Sequence, residues 1–377
     1  MPDKLRCLLV GCGGMGANQA RIVSGLEEYE LAAVCDVDER NAEKVGGSVG
    51  VKPYLDFTKA LDEVKPDVVS VCTGNTTHAP LTIQAAHAGV RGVYCEKPMA
   101  SNIKDAREMV ATCLKTNTKL VVNHQRRLGA DLVKMKGLIA DGAIGEVKLI
   151  RGRCAGDILS DGTHLVDSIM WLADDSEVLW ILGQVHRDLE GLRLLAEKHG
   201  QPIDNVGFRY GHPVESGGMG VFQYKHGARA EIFCGDMIEE GRAYQDYEVY
   251  GTRGRLWRTG DRISPNLFLQ DAHGGDWESG YVDWTYKPII CRTATRGEWR
   301  AVELEPTFEG SAIGEGYRRF ARTILNDEPH PMAGDVALGG LEVVMGVYES
   351  ARLHKRVVPP LSQERFPLDV MIEEGRI

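Results

Sequence analysis

The first 123 residues alternate short apolar runs with amphipathic stretches, a pattern typical of parallel strands joined by helices. Residues 67–72 (DVVSVC) form the almost continuous apolar run expected of a strand that is covered on both faces. We predict strands at 5–10, 31–35, 67–72, 91–95 and 119–123. We predict helices at 15–26, 38–45, 56–64, 77–88 and 102–117. Right-handed crossovers between such elements give a doubly wound parallel sheet, in which ligands bind beyond the carboxyl ends of the strands.

The pattern changes after Arg127, where alternating strands replace the strand–helix repeat. We predict helices at 129–141 and near 164–172, and strands at 145–153, 178–187, 205–210, 218–224, 228–234 and 245–251. Such an order is typical of a helix-backed, largely antiparallel sheet. Residues 259–300 have no clean period and are interpreted as a long functional excursion. Helices at 311–327 and 335–354 close the chain.

Composition narrows the class of protein. The chain has 377 residues, enough for two domains, and with 43% hydrophobic residues it is too apolar for disorder. A net charge of −10 argues against a nucleic-acid partner, and no apolar run is long enough to predict a membrane span. The first strand begins within five residues of the N-terminus, so no signal peptide is expected. The nine cysteines form no C-x-x-C pair, which favours reduced thiols in a cytoplasmic protein and no metal site.

The first strand runs directly into Gly-x-Gly-x-x-Gly at residues 11–16. Gly11 allows a tight turn, Gly13 lets a pyrophosphate approach the backbone, and Gly16 lets the following helix pack on the strand. The free N–H groups of that helix suit a phosphate anion. Asp36 lies 20 residues beyond Gly16, where its carboxylate can accept hydrogen bonds from ribose hydroxyls and would repel a 2′-phosphate. The spacing predicts NAD binding, the alternative being a glycine turn in an unrelated α/β protein.

The sequence therefore predicts an α/β protein of two domains. Residues 1–124 are expected to form a Rossmann domain with a doubly wound parallel sheet that binds NAD. Residues 125–377 are expected to form an α+β domain with a large, mostly antiparallel sheet, which binds substrate and mediates oligomerisation. The residues predicted to contact the cofactor are Gly11, Gly13, Gly14, Met15, Gly16, Asp36, Thr73, Asn75, His78, Glu96, Lys97 and Arg126.

Some of these cofactor contacts have an equally simple structural interpretation. Thr73, Asn75 and His78 follow the predicted strand at 67–72, where Asn75 or Thr77 could instead cap the next helix. Arg126 could contact cofactor or substrate, or belong to a solvated or structural arginine pair with Arg127.

Two segments carry candidate catalytic groups. The predicted strand at 91–95 leads into Glu96-Lys97-Pro98, which would place the Lys97 ammonium near the nicotinamide, with a proline bond that could be cis. A solvated lysine before a turn proline is the alternative. Asp161 and His164 are three residues apart and would share a helix face, so that the carboxylate prepares the imidazole as a general base. The alternatives are that Asp161 caps the helix and that His164 is a packed histidine.

Candidate substrate contacts are weaker. They are Asn123, Arg153, Asp157, Trp277 and Trp284. Trp277, Tyr281 and Trp284 lie within eight residues of one another among carboxylates, which suits a sugar surface, although core or subunit packing is the commoner fate of such residues. An anionic sugar also remains open as a substrate, because the chain offers four arginines near these segments: Arg126, Arg127, Arg151 and Arg153.

These motifs, in this order, resemble the glucose–fructose oxidoreductase, inositol dehydrogenase and MocA (Gfo/Idh/MocA) family over nearly the whole chain. The matching segments are Gly11–Gly16, Glu96-Lys97-Pro98, Asn123–Leu128, Ser160–Asp167, Ser350–Arg352 and Val357–Pro360. The resemblance implies that Lys97 is catalytic and that His164 is the general acid/base. The family's aspartate usually lies four residues before this histidine, whereas Asp161 lies three before it. The role of Asp161 is therefore open, and Asp157 is a second candidate.

The resemblance implies an NAD-dependent oxidoreductase that transfers a hydride between the cofactor and a secondary hydroxyl or ketone of a sugar, sugar derivative or cyclitol. One alternative is an NAD-dependent glycoside hydrolase that works by transient oxidation, elimination and re-reduction with no net redox change. A second alternative is a non-catalytic NAD-binding regulator. The resemblance also implies a homodimer or homotetramer. The suggested apolar interface residues are Val221, Tyr224, Ala230 and Ile232.

Overall fold

A computed structural model describes residues 4–198, 200, 205–238, 244–261, 264–271 and 298–377. The N-terminal strands are β1 (Leu5–Val10), β2 (Tyr29–Cys35), β3 (Lys52–Tyr54), β4 (Val68–Val71), β5 (Gly92–Cys95) and β6 (Lys119–Val122). They form one parallel sheet in the order β3-β2-β1-β4-β5-β6, so the predicted doubly wound fold is confirmed. The short strand β3 was not predicted, since three residues that include a proline give no readable period.

The helices of this domain cover both faces of the sheet. They are α1 (Gly14–Ser24), α2 (Glu39–Val49), α3 (Phe57–Val64), α4 (His78–His87) and α5 (Ile103–Lys115), with 3₁₀ turns at Asn75–Thr77 and Gln125–Leu128. Side-chain caps fix three of the starts, because Asp38, Asp56 and Asn102 each accept a hydrogen bond from a backbone N–H of the first turn. The helix α1 has no such side-chain cap, which leaves its first N–H groups available to a ligand.

A second sheet follows. Its strands are β7 (Val147–Cys154), β8 (Val178–His186), β11 (Gly217–Tyr224), β12 (Arg229–Gly235), β13 (Gln245–Gly251), β14 (Gly254–Arg258), β15 (Leu267–Asp271) and β16 (Arg300–Ala301), while β9 (Phe208–Arg209) and β10 (His212–Pro213) form a separate hairpin. The order is β16-β15-β14-β13-β7-β12-β11-β8, and the neighbours are antiparallel except for β7 and β12. The predicted large, mostly antiparallel sheet is thus confirmed.

Helices cover one face of this sheet. The remaining helices are α6 (Ala130–Ala140), α7 (Gly162–Leu172), α8 (Leu189–Lys198), α9 (Ala312–Asn326), α10 (Gly334–Leu353) and α11 (Pro367–Glu373). The buried helices α7 and α10 pack together on the inner face, where Leu165 and Ile169 lie directly over Gly152 of β7. The opposite face carries no helix of the described part of the chain. Among the suggested interface residues, Tyr224, Ala230 and Ile232 are fully buried in the core, so only Val221 lies on this open face.

The helix α9 returns to the N-terminal sheet. Its Tyr317 ring stacks on Tyr94 of β5 with a centroid distance of 4.0 Å, and its hydroxyl lies 2.6 Å from the Ser70 hydroxyl of β4. Both rings are fully buried. Residues assigned by the sequence to the second domain therefore stabilise the first, and the boundary at 124/125 stays a prediction.

Other differences from the predicted elements have local causes. The predicted strand at 205–210 is instead the end of a turn and a short hairpin, because Gly207, Tyr210 and Gly211 have positive φ angles of 81°, 51° and 90°. Strand β15 lies inside the predicted excursion at 259–300. The eight described cysteines are buried and unpaired, and no helix among the described residues is long and apolar enough to span a membrane.

Candidate active site

The glycine loop after β1 leaves an open concavity at the start of α1. Gly11 has a φ of +94°, and a Cβ atom there would lie 2.6 Å from the backbone carbonyl carbon of Cys72. A Cβ atom on Gly16 would lie 1.7 Å from the carbonyl oxygen of Gly11. Gly13 and Gly14 instead face open space, with no neighbour within 4 Å of the corresponding Cβ position. The loop therefore packs tightly on the protein side and leaves room for a pyrophosphate on the other side.

Asp36 stands at the carboxyl end of β2, beside this loop. Its Oδ2 accepts a hydrogen bond from the backbone N–H of Cys12 at 2.6 Å, and its Oδ1 accepts one from Asp38 at 2.8 Å. The half-buried carboxylate is thus fixed in direction while it retains lone pairs for a ligand. Met15 and Val37 are exposed on either side of it. These residues fit a dinucleotide whose adenosine ribose carries free hydroxyls.

Glu96 and Asn123 belong to a buried polar network behind the cleft. Glu96 accepts hydrogen bonds from Gln19, from Asn123 Nδ2 at 2.6 Å and from the backbone N–H of Lys97 at 3.2 Å. Tyr94 donates to Asn123 Oδ1 at 2.8 Å. Burial raises the pKa of Glu96, and hydrogen bonding partly offsets that rise. The structure places both side chains beneath Lys97, where they fix the end of β5.

Lys97 points from the N-terminal sheet towards the second domain. Its Nζ donates to the carbonyl oxygen of Ser160 at 2.7 Å, and the peptide bond to Pro98 is cis, as the sequence suggested. His78 braces this turn, since its two ring nitrogens lie 2.7 Å from the carbonyl oxygen of Pro98 and 3.1 Å from that of Thr73. His78 is 1% exposed, so it supports the site from inside the domain. The ammonium of Lys97 consequently reaches the segment that precedes α7.

His164 lies in the first turn of α7 and is 4% exposed. Burial lowers its pKa well below the ordinary value, and the charges of Lys97 and Arg126 lower it further. Its Nδ1 is buried and has no hydrogen-bond partner among the described residues. The ring of His124 meets it edge-on at 5.4 Å, and burial lowers the pKa of His124 to about 4. The neutral imidazole of His164 is therefore able to accept a proton from a ligand.

Asp161 does not pair with His164 in this structure. Its carboxylate accepts hydrogen bonds from Arg209 and from the Tyr244 hydroxyl, and the described residues show no ion pair between it and His164. The predicted pairing assumed that both residues lie on a helix, whereas Asp161 precedes the first residue of α7. Its side chain makes no helix-capping hydrogen bond either. The catalytic role of Asp161 stays a prediction, and its contacts differ from the predicted pairing with His164.

Asp157 shares the same arginine. Its Oδ2 lies 3.1 Å from Arg209 Nη1, while its Oδ1 accepts a hydrogen bond from the backbone N–H of Ser160 at 2.6 Å. Behind it, Glu215 accepts from the backbone N–H of Ile158 at 2.6 Å and from Tyr348. Burial and the Asp157 charge raise the pKa of Glu215 to about 7. The loop that carries Ser160 is thus held by carboxylates on both sides.

Further predicted contacts line the two rims of the cleft. Asn75 Nδ2 lies 3.0 Å from His212 Nε2, and Thr73 accepts a hydrogen bond from Thr77. Arg126 forms a two-pronged ion pair with Asp261 and lies over the ring of Tyr244. Asn75 and Arg126 therefore have protein partners, and any contact they make with the cofactor must coexist with them.

Arg127, Arg153 and the tryptophans are separate from this cluster. Arg127 is 1% exposed and bonds both oxygens of Asp167 and of Asp175, so it is structural. Arg153 lies on the open face of the sheet beside Asp246 and Glu248, away from the face on which α7 packs. It is not brought together with the catalytic candidates. Trp277, Tyr281 and Trp284 lie outside the described residues.

Four residues near these groups were not predicted from the sequence: Arg209, Tyr244, His124 and His212. Arg209, Tyr244 and His212 belong to no motif, whereas His124 lies within the family-like segment Asn123–Leu128. For His124 a further signal was its position two residues after β6, at the sheet edge where ligands bind.

Comparison with known proteins shows what the chain is similar to. A family model described as an oxidoreductase family with an NAD-binding Rossmann fold matches residues 5–124. Myo-inositol 2-dehydrogenase of Thermotoga maritima is 25% identical over 294 residues, which are 74% of this chain and 81% of that protein. The first domain of the chain thus matches the Gfo/Idh/MocA oxidoreductase family. The protein is an NAD-dependent oxidoreductase, and the predicted resemblance and cofactor are confirmed.

Two further comparisons show how far the likeness extends. D-glucoside 3-dehydrogenase of Escherichia coli is 29% identical over 189 residues, covering 45% of this chain and 54% of that protein. The WlbA dehydrogenase of Bordetella pertussis, solved with NADH and UDP-GlcNAcA, superposes with a TM-score of 0.71 at 19% identity over 96% of this chain and all of the other. The fold is therefore shared over both domains.

Proposed function

We propose that this oxidoreductase acts on a secondary hydroxyl or ketone of a sugar, sugar derivative or cyclitol. Relatives named as inositol and glucoside dehydrogenases support this substrate class. The observation that carries the proposal is the meeting of two ionisable groups from different domains. Lys97 of the N-terminal domain donates to Ser160, four residues before His164 of α7. An ammonium and a neutral imidazole facing one cleft are what deprotonation of an alcohol requires.

The residues divide the work by their chemistry. Bound NAD supplies the hydride acceptor or donor. The glycine loop and Asp36 hold the adenosine diphosphate part. His164 accepts the hydroxyl proton because its lowered pKa keeps it neutral. Lys97 donates a hydrogen bond to the same oxygen and stabilises the negative charge that develops there. In ketone reduction the same groups act in reverse.

The assay that tests this proposal follows NADH and sugar products in parallel. Free sugars, cyclitols and their methyl and nitrophenyl glycosides are offered with NAD⁺. Sustained NADH formation from a free sugar or cyclitol is expected. Release of nitrophenol without net NADH would instead support the glycoside hydrolase, and inertness toward the whole panel would contradict both.

We also propose that the open face of the second sheet joins two copies of this chain. Apolar side chains from neighbouring strands lie on it: Leu182, Met219, Val221, Phe233, Trp257 and Phe268. Arg151 pairs with Glu231 in their midst at 2.9 Å, so the face combines apolar area with fixed charges. Light scattering should give a dimer or tetramer, and a monomer at micromolar concentration would contradict it.

The unpaired, buried thiols support a reducing, cytoplasmic setting.

A further inference from the structure

The hairpin of β9 and β10 carries an arginine to the two carboxylates in front of α7. Nη1 of Arg209 reaches Asp157 at 3.1 Å and also Asp161, and Nη2 lies 3.3 Å from the Tyr210 hydroxyl. A guanidinium has five N–H donors. Nε–H and one N–H of Nη2 have no acceptor among the described residues, and the side chain is 39% exposed. Arg209 therefore presents unused donors beside a fixed carboxylate.

The hairpin is anchored at the catalytic cleft. Nε2 of His212 lies 3.0 Å from Asn75 Nδ2 and 3.1 Å from the Ser160 hydroxyl. A Cβ atom on Gly211 would lie 2.8 Å from the Thr76 hydroxyl, so the turn sits directly on the loop that follows β4. Ser160 is also the residue whose carbonyl oxygen holds Lys97. The hairpin thus places Arg209 at the cleft that contains the proposed catalytic groups.

Asp161 is fixed as an acceptor rather than as a partner of His164. The Tyr244 hydroxyl and Arg209 both donate to it, while Nδ1 of His164 has no partner among the described residues. Burial and the charge of Asp161 raise the pKa of Tyr244, so this phenol stays a donor. A carboxylate next to a guanidinium with free N–H groups can bind two neighbouring hydroxyls at once, accepting from one and donating to the other.

We propose that Arg209 and Asp161 form a substrate-positioning pair that binds adjacent hydroxyls of the substrate, in place of a proton relay between Asp161 and His164. The assignment rests on the proposed function of the site. It makes Arg209 a specificity-determining residue. A substrate without the second hydroxyl offers no acceptor to the remaining N–H groups of the guanidinium. The adjacent-diol requirement distinguishes this pair from Lys97 and His164, which act on the reacting hydroxyl alone.

The test compares Arg209→Gln, Arg209→Lys and Asp161→Asn in the full-length protein. Arg193→Gln is the matched control, because Arg193 is an exposed arginine on α8 whose pairing is with Glu190 and Glu197. The probes are myo-inositol, methyl α-D-glucoside and their deoxy analogues, each with NADH for binding or NAD⁺ for turnover. Binding is measured as the rise in unfolding temperature that the polyol adds to that of NADH alone, and turnover as KM, kcat and the pH profile of kcat.

We expect Arg209→Gln and Asp161→Asn to raise KM about 10- to 100-fold, as loss of a charge-assisted hydrogen bond does. The acidic limb of the kcat profile should not move, Arg209→Lys should restore part of the affinity, and the deoxy analogue should bind wild type and Arg209→Gln alike. An unchanged NADH-induced temperature rise shows that the variants are folded.

Three results would overturn the assignment. A loss of kcat of about 100-fold or more in Asp161→Asn, with a shifted acidic limb, would restore the relay between Asp161 and His164. Equal polyol stabilisation of wild type and Arg209→Gln would remove Arg209 from the binding site while leaving the proposed function intact. No stabilisation and no turnover of any polyol by the wild type would contradict the proposed function itself, and the pair would fall with it.

Discussion

The glycine loop after β1 and the segment before α7, here called the wall, differ in the groups that they offer to a ligand. The loop uses backbone N–H groups and four glycines without Cβ atoms among the six residues 11–16, helped by one carboxylate, Asp36. The wall uses side chains from distant segments, since Lys97, Arg209 and Tyr244 converge on Ser160–Asp161. A backbone site leaves a contiguous trace in the sequence, whereas a side-chain site depends on the tertiary fold that assembles it.

The largest expected effect comes from the side-chain site. His164→Asn keeps a side chain of similar polarity but removes the proton acceptor, so kcat should fall by about 10²- to 10⁴-fold. The affinity for NADH, measured by fluorescence titration, should stay close to that of the wild type because the glycine loop is untouched. His87→Asn, at an exposed position near the end of α4, is the control and should keep its full kcat. Equal activity of His164→Asn and the wild type would remove His164 from the chemistry.

The second effect concerns Glu215, which supports the segment before α7. Folding raises the pKa of Glu215 from 4.5 to about 7, so the folded state binds more protons than the unfolded state between these values. The free energy of unfolding should therefore fall as pH rises from about 4.5 to 7, by up to about 3 kcal/mol. Glu215→Gln should abolish that contribution. Urea denaturation at a series of pH values measures it, and a variant with the same pH slope as the wild type would contradict the assignment.

The third effect belongs to the backbone site. Gly16→Ala places a methyl group against the carbonyl oxygen of Gly11, so α1 must move away from β1. The NADH dissociation constant should rise about 10- to 100-fold, the equivalent of a strained backbone contact costing about 1–3 kcal/mol.

Gly47→Ala is the matched control for this change, because a Cβ atom at that exposed position in α2 meets no neighbour within 4 Å. It should leave NADH binding unchanged and stabilise the fold by up to about 1 kcal/mol. Equal NADH affinity in Gly16→Ala and Gly47→Ala would show that the close approach of loop and helix is unimportant for the cofactor.

The smallest effect tests the one carboxylate of the backbone site. Asp36→Asn should weaken NADH binding about tenfold through loss of a charge-assisted hydrogen bond to the ribose. The same change removes repulsion of a 2′-phosphate, so the ratio of NADP⁺ to NAD⁺ affinity should rise. Calorimetric titration with both cofactors measures this ratio, and an unchanged ratio would show that Asp36 does not face the ribose.

The same contrast explains how much the sequence could predict. The sheet of the first domain and the glycine loop follow from local apolar runs and from glycine spacing, and both appear in the structure. Lys97 and His164 were identifiable because each stands in a family motif. The partner of Asp161 was not identifiable, because Arg209 lies 48 residues away on a short hairpin without a strand-like period. The helical spacing of Asp161 and His164 was misleading, since one of the two lies outside the helix.

Arg126 also has a partner that the local sequence could not predict. Its position after the last strand of the parallel sheet predicted a cofactor contact, but both terminal nitrogens of its guanidinium pair with Asp261, three residues after the end of β14. Such an ion pair joins residues 135 positions apart and depends on the tertiary fold, which local patterns do not encode.

The central claim is that NAD held by the first domain faces Lys97 and His164 across the cleft. Its most direct test is single-turnover NADH formation from a polyol that the wild type oxidises, compared among wild type, Lys97→Met and His164→Asn at saturating NAD⁺. We predict that both variants bind NADH with wild-type affinity and form NADH at least about 100-fold more slowly. NADH formation at the wild-type rate in either variant would contradict the account.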